Sequence, residues 1–281
     1  MTAPAVDVPA YFARIGYAGD GRAGLDMLHA IVAGHNRSIP FENLDPLLGV
    51  PVADLSAAAL TGKLVHRRRG GYCYEHNGLL GYVLEASGFG VERLAGRVVW
   101  MKDDDALPAQ THQLLAVRVP DVEGRFLVDV GFGGQTLSAP IRFETDVEQP
   151  TRHEPYRIRT VADGPEDYVL ESLINDRWRP LYLFTDRPQP RIDLEVGSWY
   201  VSTHPKSVFV VGLTASLVTD DARWNMRGRN LAVHSGGGTE RIRFDTAAEV
   251  LDALVERFGI DLADVGERTD IEKRVHEVLD S

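Results

Sequence analysis

Arg68-Arg69-Gly70-Gly71-Tyr72-Cys73-Tyr74-Glu75-His76-Asn77 is the stretch from which the rest of the chain is read. Cys73 is the one cysteine among 281 residues. Just after it Leu79, Leu80, Val83 and Leu84 recur at helical spacing until Ser87-Gly88 stops the run. The thiol therefore falls at or near a helix N-terminus, where free backbone N–H groups and the positive end of the helix dipole favour a thiolate. A lone cysteine is ordinarily a small buried hydrophobe. Here Gly70 and Gly71 let backbone crowd the sulfur, and Glu75, His76 and Asn77 are not the company of an apolar core. Cys73 is thus a candidate nucleophile, provided a base reaches it.

Toward the N-terminus the pattern stays helical. Leu25, Leu28, Ile31 and Val32 share a face before Ser38-Ile39-Pro40, and Ser56 can cap a second helix carrying Leu60 and Leu64. After Gly90 the period changes. Short alternating or β-branched runs at 91–100, 112–119, 125–130, 156–161, 168–174 and 178–184 are separated by turn clusters, among them 121–124 and Asp163-Gly164-Pro165. This predicts an antiparallel sheet or barrel. The last part mixes strands at 209–218 and 241–244 with two helices. The first opens on the capping box Thr246-Ala247-Ala248-Glu249 and buries Val250, Leu251, Leu254 and Phe258; the second spans 270–279. Boundaries are expected near residues 90 and 205.

The net charge of -11 argues against a nucleic-acid partner, because phosphate binding needs a basic face. The cluster His66-Arg67-Arg68-Arg69 is too short to reverse this and reads as a solvated or locally paired helix end. One cysteine allows no intramolecular disulfide, which fits a reducing compartment. The first ten residues lack the basic start and apolar stretch of a secretory signal, so a cytoplasmic location is expected. The apolar run 208–218, broken by Gly212, Thr214 and Ser216, is far too short for a membrane span. Metal catalysis is not expected: His-Glu-x-x-His does not occur, one cysteine cannot build a thiolate zinc site, and His153-Glu154 reads as a loop feature.

The base and its partner come from two strands. Thr111-His112 opens one, and Phe126-Leu127-Val128-Asp129 ends another, with the turn at 121–124 between them. A hairpin would return the start of the first strand to the end of the second, bringing His112 near Asp129, although sequence does not set the register. A carboxylate between Val128 and Val130 needs a partner, because an unpaired buried charge is costly. A helix-borne Cys73, a strand His112 and a strand Asp129 make a nucleophile, base and orienting carboxylate. Taken singly, His112 also reads as a satisfied core histidine and Asp129 as a turn cap.

The stretches Ile39-Pro40-Phe41-Glu42-Asn43-Leu44-Asp45, Arg69 to Cys73, Thr111-His112, Val128 to Gly133 and Ser202-Thr203-His204-Pro205 resemble, in order, motifs of the arylamine N-acetyltransferases, and the chain is similar to the bacterial branch. The resemblance implies an α+β fold of three parts around a cysteine-protease-like Cys-His-Asp core: an N-terminal helical bundle (1–90), a central antiparallel β-barrel (91–205) and a C-terminal α/β lid (206–281). It implies ping-pong transfer in which acetyl-CoA, a substrate rather than a tightly bound cofactor, acetylates Cys73. An arylamine, arylhydrazine or N-hydroxyarylamine then attacks the thioester. The loop Gly131-Phe132-Gly133-Gly134 lacks the Gly-Lys-Ser/Thr of a nucleotide P-loop. By resemblance, Gly131, Phe132 and Gly133 contact CoA, Trp100 and Thr111 lie at the cleft, and Phe41, Val98, Phe132 and Phe209 line the acceptor pocket. The Cys73 N–H is a candidate oxyanion donor. Glu42 and Arg69 read equally as an ion pair behind the nucleophile or as surface residues.

Three other readings compete. Papain-like proteases and transglutaminases share the order Cys, His, Asp/Asn, but 39–45 and the glycine loop fit the transferases. A non-enzymatic reading gives Cys73 a redox-sensing or ligand-binding role, and its redox form lacks a resolving cysteine. A related amide synthase closing a macrolactam shares the motifs. Acetyl and propionyl differ by one methylene, which a pocket separates weakly, so the acyl chain stays open, as do the acceptor and a homodimer.

Overall fold

The computed structural model describes residues 6–102, 107–162 and 167–279. The expected turn at Asp163-Gly164-Pro165 and the first five residues lie outside them.

Helix α1 (Val8–Ile15) is capped by Asp7, which accepts from the Ala10 N–H, and closed by left-handed Gly16. Helix α2 (Leu25–Ser38) buries Leu28, Ile31 and Val32. There follow β1 (Phe41–Glu42), α3 (Leu44–Leu47), α4 (Ala57–Leu60), a π-helical turn Thr61–His66, and α5 (Cys73–Ala86). Ser56 caps α4 by accepting from the Ala59 N–H at 3.2 Å.

A seven-stranded antiparallel sheet comes next: β2 (Gly90–Val98), β3 (Gln110–Arg118), β4 (Phe126–Val128), β5 (Ile141–Arg142), β6 (Tyr156–Thr160), β7 (Tyr168–Ile174) and β8 (Arg177–Phe184), in the order β5-β4-β3-β2-β8-β7-β6. A bridge between Thr145 and Ile158 draws its edges together, so the sheet is barrel-like.

The chain continues through α6 (Arg191–Thr203), α7 (Val208–Val211), β9 (Thr214–Val218), β10 (Ala222–Arg227), β11 (Asn230–Ser235), β12 (Gly238–Arg243), α8 (Ala247–Glu256) and α9 (Arg268–Val278). The strand expected over 209–218 is corrected here: its first part is the helix α7. The Ser207 hydroxyl accepts from the Phe209 N–H and starts a helical turn, which ends at Gly212, and only then does the strand begin. The strand expected at 241–244 starts earlier, at Gly238, because it completes a hairpin with β11. Thr246 and Glu249 form the expected capping box, and α8 buries Val250, Leu251 and Leu254, with Phe258 buried just beyond its end.

The second sheet has the order β1-β9-β10-β11-β12. Its edge comes from the N-terminal third, with Phe41 opposite Ser216 and Glu42 opposite Ala215. The apolar clusters cross in the same way: Leu44 and Leu47 pack with Leu213, Val250 and Val275, whereas Leu194 and Val201 of α6 pack with the first helices. A third cluster fills the barrel-like sheet around Leu114, Leu127 and Tyr182. The fold is α+β: helices, an antiparallel barrel-like sheet, then a smaller sheet covered by helices. Among the described residues no helix is long and apolar enough to cross a membrane.

Candidate active site

Cys73 is the first residue of α5, with Tyr72 extended before it. The Glu75 carboxylate reaches back and accepts from the Tyr72 N–H at 3.1 Å, satisfying a donor that a helix start leaves over. Close backbone approach is built in. A Cβ on Gly70 would lie 1.9 Å from the Pro40 carbonyl oxygen, and one on Gly131 would lie 2.7 Å from the Cys73 Cα. Only glycine allows the 39–42 segment and the 131–134 loop to close on the cysteine from two sides.

His112 lies in β3 and Asp129 directly follows β4. The β3–β4 register, Leu115 opposite Val128, brings them together. His112 Nε2 is 2.8 Å from Asp129 Oδ2, leaving Nδ1 for the thiol, and Cys73 Sγ is 3.7 Å from the Thr111 carbonyl oxygen. Burial opposes charge on the His112 ring, but the Asp129 carboxylate and, next to it, the Cys73 thiol overcome this and push its pKa up to about 10. Burial would likewise raise Asp129, but His112, Asn77 and the Gly131 N–H together hold it below the usual carboxylate range.

Asn77, one turn along α5 from Cys73, was not assigned a role from sequence. Its Nδ2 donates to Asp129 Oδ1 at 2.9 Å and to the Gln113 carbonyl at 2.6 Å, and its Oδ1 accepts from the Val130 N–H at 3.1 Å. It bolts the cysteine helix to the hairpin that carries the other two residues. Tyr182 is also new to the site, its ring 4.7 Å from that of His112.

The thiol opens into a cleft of about 560 Å³. Cys73, only 4% exposed, lines it together with Phe41, Val98, Trp100, Thr111, His112, Gly131, Phe132 and Phe209. Asp129 sits behind His112, and Gly133 lies against the Phe41 ring. Phe209 reaches the cleft from α7. Asn43 fixes that helix, donating to the Phe209 and Gly212 carbonyls at 2.8 and 2.7 Å and accepting from the Thr214 N–H at 2.8 Å. Tyr200, His204 and Lys206 complete the rim on this side. The glycine loop is held from behind by buried Arg223, which donates to the Gly134 and Thr136 carbonyls at 3.1 Å and pairs with Glu154 at 2.8 Å. Glu154 thus does more than the loop reading of His153-Glu154 allowed.

Glu42 and Arg69 are buried, not surface residues, at 1% and 3% exposure, and 2.8 Å apart. Of the two readings of the 66–69 cluster, solvated or paired, Arg69 follows the paired one. It also holds Asp45 at 2.8 Å, and Lys63 lies 2.6 Å from both Asp45 and Glu75. Burial alone would raise Asp45; the two cations bring it down to about 2. This cluster stands behind the first turn of α5. Lys63 and Glu75 carry no local signal of it. Among the described residues no group of three or more His, Cys, Asp or Glu side chains could hold a metal ion.

The fold and the thiol-lined cleft agree with a family match: the model described as N-acetyltransferase covers residues 24–266. An arylamine N-acetyltransferase of Mycolicibacterium smegmatis is 67% identical over 278 residues, 99% of this chain and 100% of that protein. A solved structure of M. smegmatis arylamine N-acetyltransferase superposes with a TM-score of 0.95 at 67% identity, covering 99% of this chain and 100% of that one. The Mycobacterium marinum arylamine N-acetyltransferase in complex with CoA gives 0.93 at 56% identity, covering 97% and 99%. The chain belongs to the arylamine N-acetyltransferase family.

Proposed function

We propose that this enzyme transfers an acetyl group from acetyl-CoA to a small aromatic amine, hydrazine or N-hydroxyarylamine through an acetyl-Cys73 thioester. The observation that carries the reading is the line Cys73, His112, Asp129 at the wall of an aromatic cleft. His112 takes the Cys73 proton, and Asp129 holds the imidazole in its tautomer and stabilises the imidazolium. The sulfur attacks the acetyl carbonyl carbon. Negative charge gathers on the carbonyl oxygen, where the Cys73 N–H at the helix start is a preorganised donor. The tetrahedral centre collapses, the C–S bond to CoA breaks, and the imidazolium returns its proton to the CoA sulfur.

The neutral imidazole then serves the second half. It takes a proton from the attacking nitrogen as the new C–N bond forms and gives it to the departing Cys73 sulfur, so the enzyme is restored. Trp100, Thr111, Gly131, Phe132 and Gly133 are assigned to CoA. Phe41, Val98, Phe132 and Phe209 form an apolar wall suited to a flat ring.

Intact-protein mass spectrometry tests the route. Acetyl-CoA should add one acetyl group, which is absent in Cys73→Ala and discharged by an arylhydrazine. No adduct, with Cys73 still open to alkylation, would refute acetyl-CoA as donor. Asp129→Asn should keep the fold and lower turnover by roughly 10⁴, as loss of the tautomer-setting carboxylate does in serine triads. A near-normal rate would remove Asp129 from the mechanism.

A further inference from the structure

Three buried polar side chains have no part in the reaction above, and they touch one another. The Tyr11 hydroxyl lies 2.8 Å from His35 Nδ1, His35 Nε2 lies 2.8 Å from His76 Nδ1, and His76 Nε2 lies 3.1 Å from the Pro40 carbonyl oxygen. All three side chains are enclosed. Burial keeps both imidazoles neutral: it lowers His35 well below the usual value, with His76 and Arg14 adding to the effect, and brings His76 down to about 4.

A neutral imidazole has one N–H and one lone pair, so the protons can be placed by elimination. The Pro40 carbonyl only accepts, which puts the His76 proton on Nε2. Its Nδ1 is then a lone pair and requires the His35 proton on Nε2. His35 Nδ1 must in turn accept from the Tyr11 hydroxyl. The reverse direction would set a His76 lone pair against the Pro40 oxygen and strand the Tyr11 proton in a dry interior, so the chain runs one way.

It ends where the cleft begins. Pro40 precedes Phe41, whose ring lies 6.1 Å from that of His76 and almost parallel to it, at 15°. The Phe41 ring also meets Phe209 at 5.8 Å, and both line the cleft. The same imidazole therefore holds the peptide before Phe41 and backs its ring. We propose that Tyr11, His35 and His76 are positioning residues: their one-way hydrogen-bond chain sets Phe41 as the aromatic wall that meets the acyl acceptor. This rests on the acceptor assignment above.

Nitrogen-15 NMR of the intact protein reads the tautomers. At pH 7 both His35 and His76 should be neutral with the proton on Nε2. A proton on Nδ1 of either ring would overturn the chain whatever the enzyme does. Tyr11→Phe removes the first donor, and Tyr11 is not among the residues that line the cleft. Acetylation of Cys73 by acetyl-CoA should then stay within about twofold of wild type, while KM for phenylhydrazine rises about three- to tenfold, the scale of one hydrogen bond. Equal losses in both half-reactions, or an unchanged acceptor KM, would overturn the positioning role. If Tyr11→Phe does not fold, His35→Gln, whose amide both donates and accepts, should keep acceptor binding that His35→Leu loses; equal behaviour of the two overturns it. If wild type takes no acetyl group at all, the functional reading fails separately. The chain is then judged by the tautomers and by calorimetric binding of aniline to wild type and Tyr11→Phe, which should be weaker in the variant; equal binding overturns it.

Discussion

Glu75 and His76 are neighbours in the first turn of α5, and the protein treats them in opposite ways. Glu75 joins a largely buried cluster of ion pairs, with Lys63 at 2.6 Å and Asp45, Arg69 and Glu42 beyond it. His76 joins a fully buried chain that carries no charge, from Tyr11 through His35 to the Pro40 carbonyl. Each is a stable way to bury polar groups, but the two fail differently. An ion stripped of its partner leaves an uncompensated charge, whereas a missing neutral link leaves one unmatched donor or acceptor.

The largest test of that contrast is Lys63→Met. It removes the cation paired with Glu75 and leaves Asp45 with Arg69, and should cost about 3–5 kcal/mol in urea unfolding at pH 7. A loss below about 1 kcal/mol would put the charged side on a par with the neutral one. The next is the pH profile of stability. His35 and His76 are depressed in the folded state, so the unfolded chain takes up protons first. Stability should fall by a few kcal/mol as pH drops from about 6.5 toward about 4. His112 is raised, so its contribution is full below about 6.5 and is lost as pH rises through about 10. His76→Gln should flatten the acid limb and His112→Gln the alkaline limb; a wild-type profile flat between pH 4 and 6.5 would contradict neutral histidines. The smallest effect is that of Tyr11→Phe, one neutral link, at about 1 kcal/mol by the same urea assay. A loss as large as that of Lys63→Met would erase the distinction.

What could be read from the chain alone follows from how local each signal is. The helix after Cys73 and the 121–124 turn declare themselves within a dozen residues, and so the cysteine helix and the β3–β4 hairpin follow directly. Lys63, Asn77 and His35 give no such notice. Their partners lie on other elements, as Asn77 with Asp129 and Val130, and a polar residue in a helix reads as solvent-facing until its partner is known. Residues 208–211 fail for another reason: four apolar residues fit a strand or a helix equally, and the Ser207 cap and Gly212 decide. Strand β10 is hidden by Arg223, a charge at a core position that makes sense only once Glu154 and the carbonyls of the glycine loop surround it. Two-residue β1 has no period to detect; its strand character belongs to its pairing with β9.

That pairing bears on how the protein is made. Phe41 finds its sheet partner at Ser216, in a chain of 281 residues. At ~5–20 residues per second, a ribosome needs roughly 9–35 s to travel between those two codons. During that interval the nascent chain can already carry Cys73 on its helix while the strand beside Phe41 has yet to be translated. The side of the cleft that Phe41 lines is joined to its sheet late in synthesis, once Ser216 has been translated.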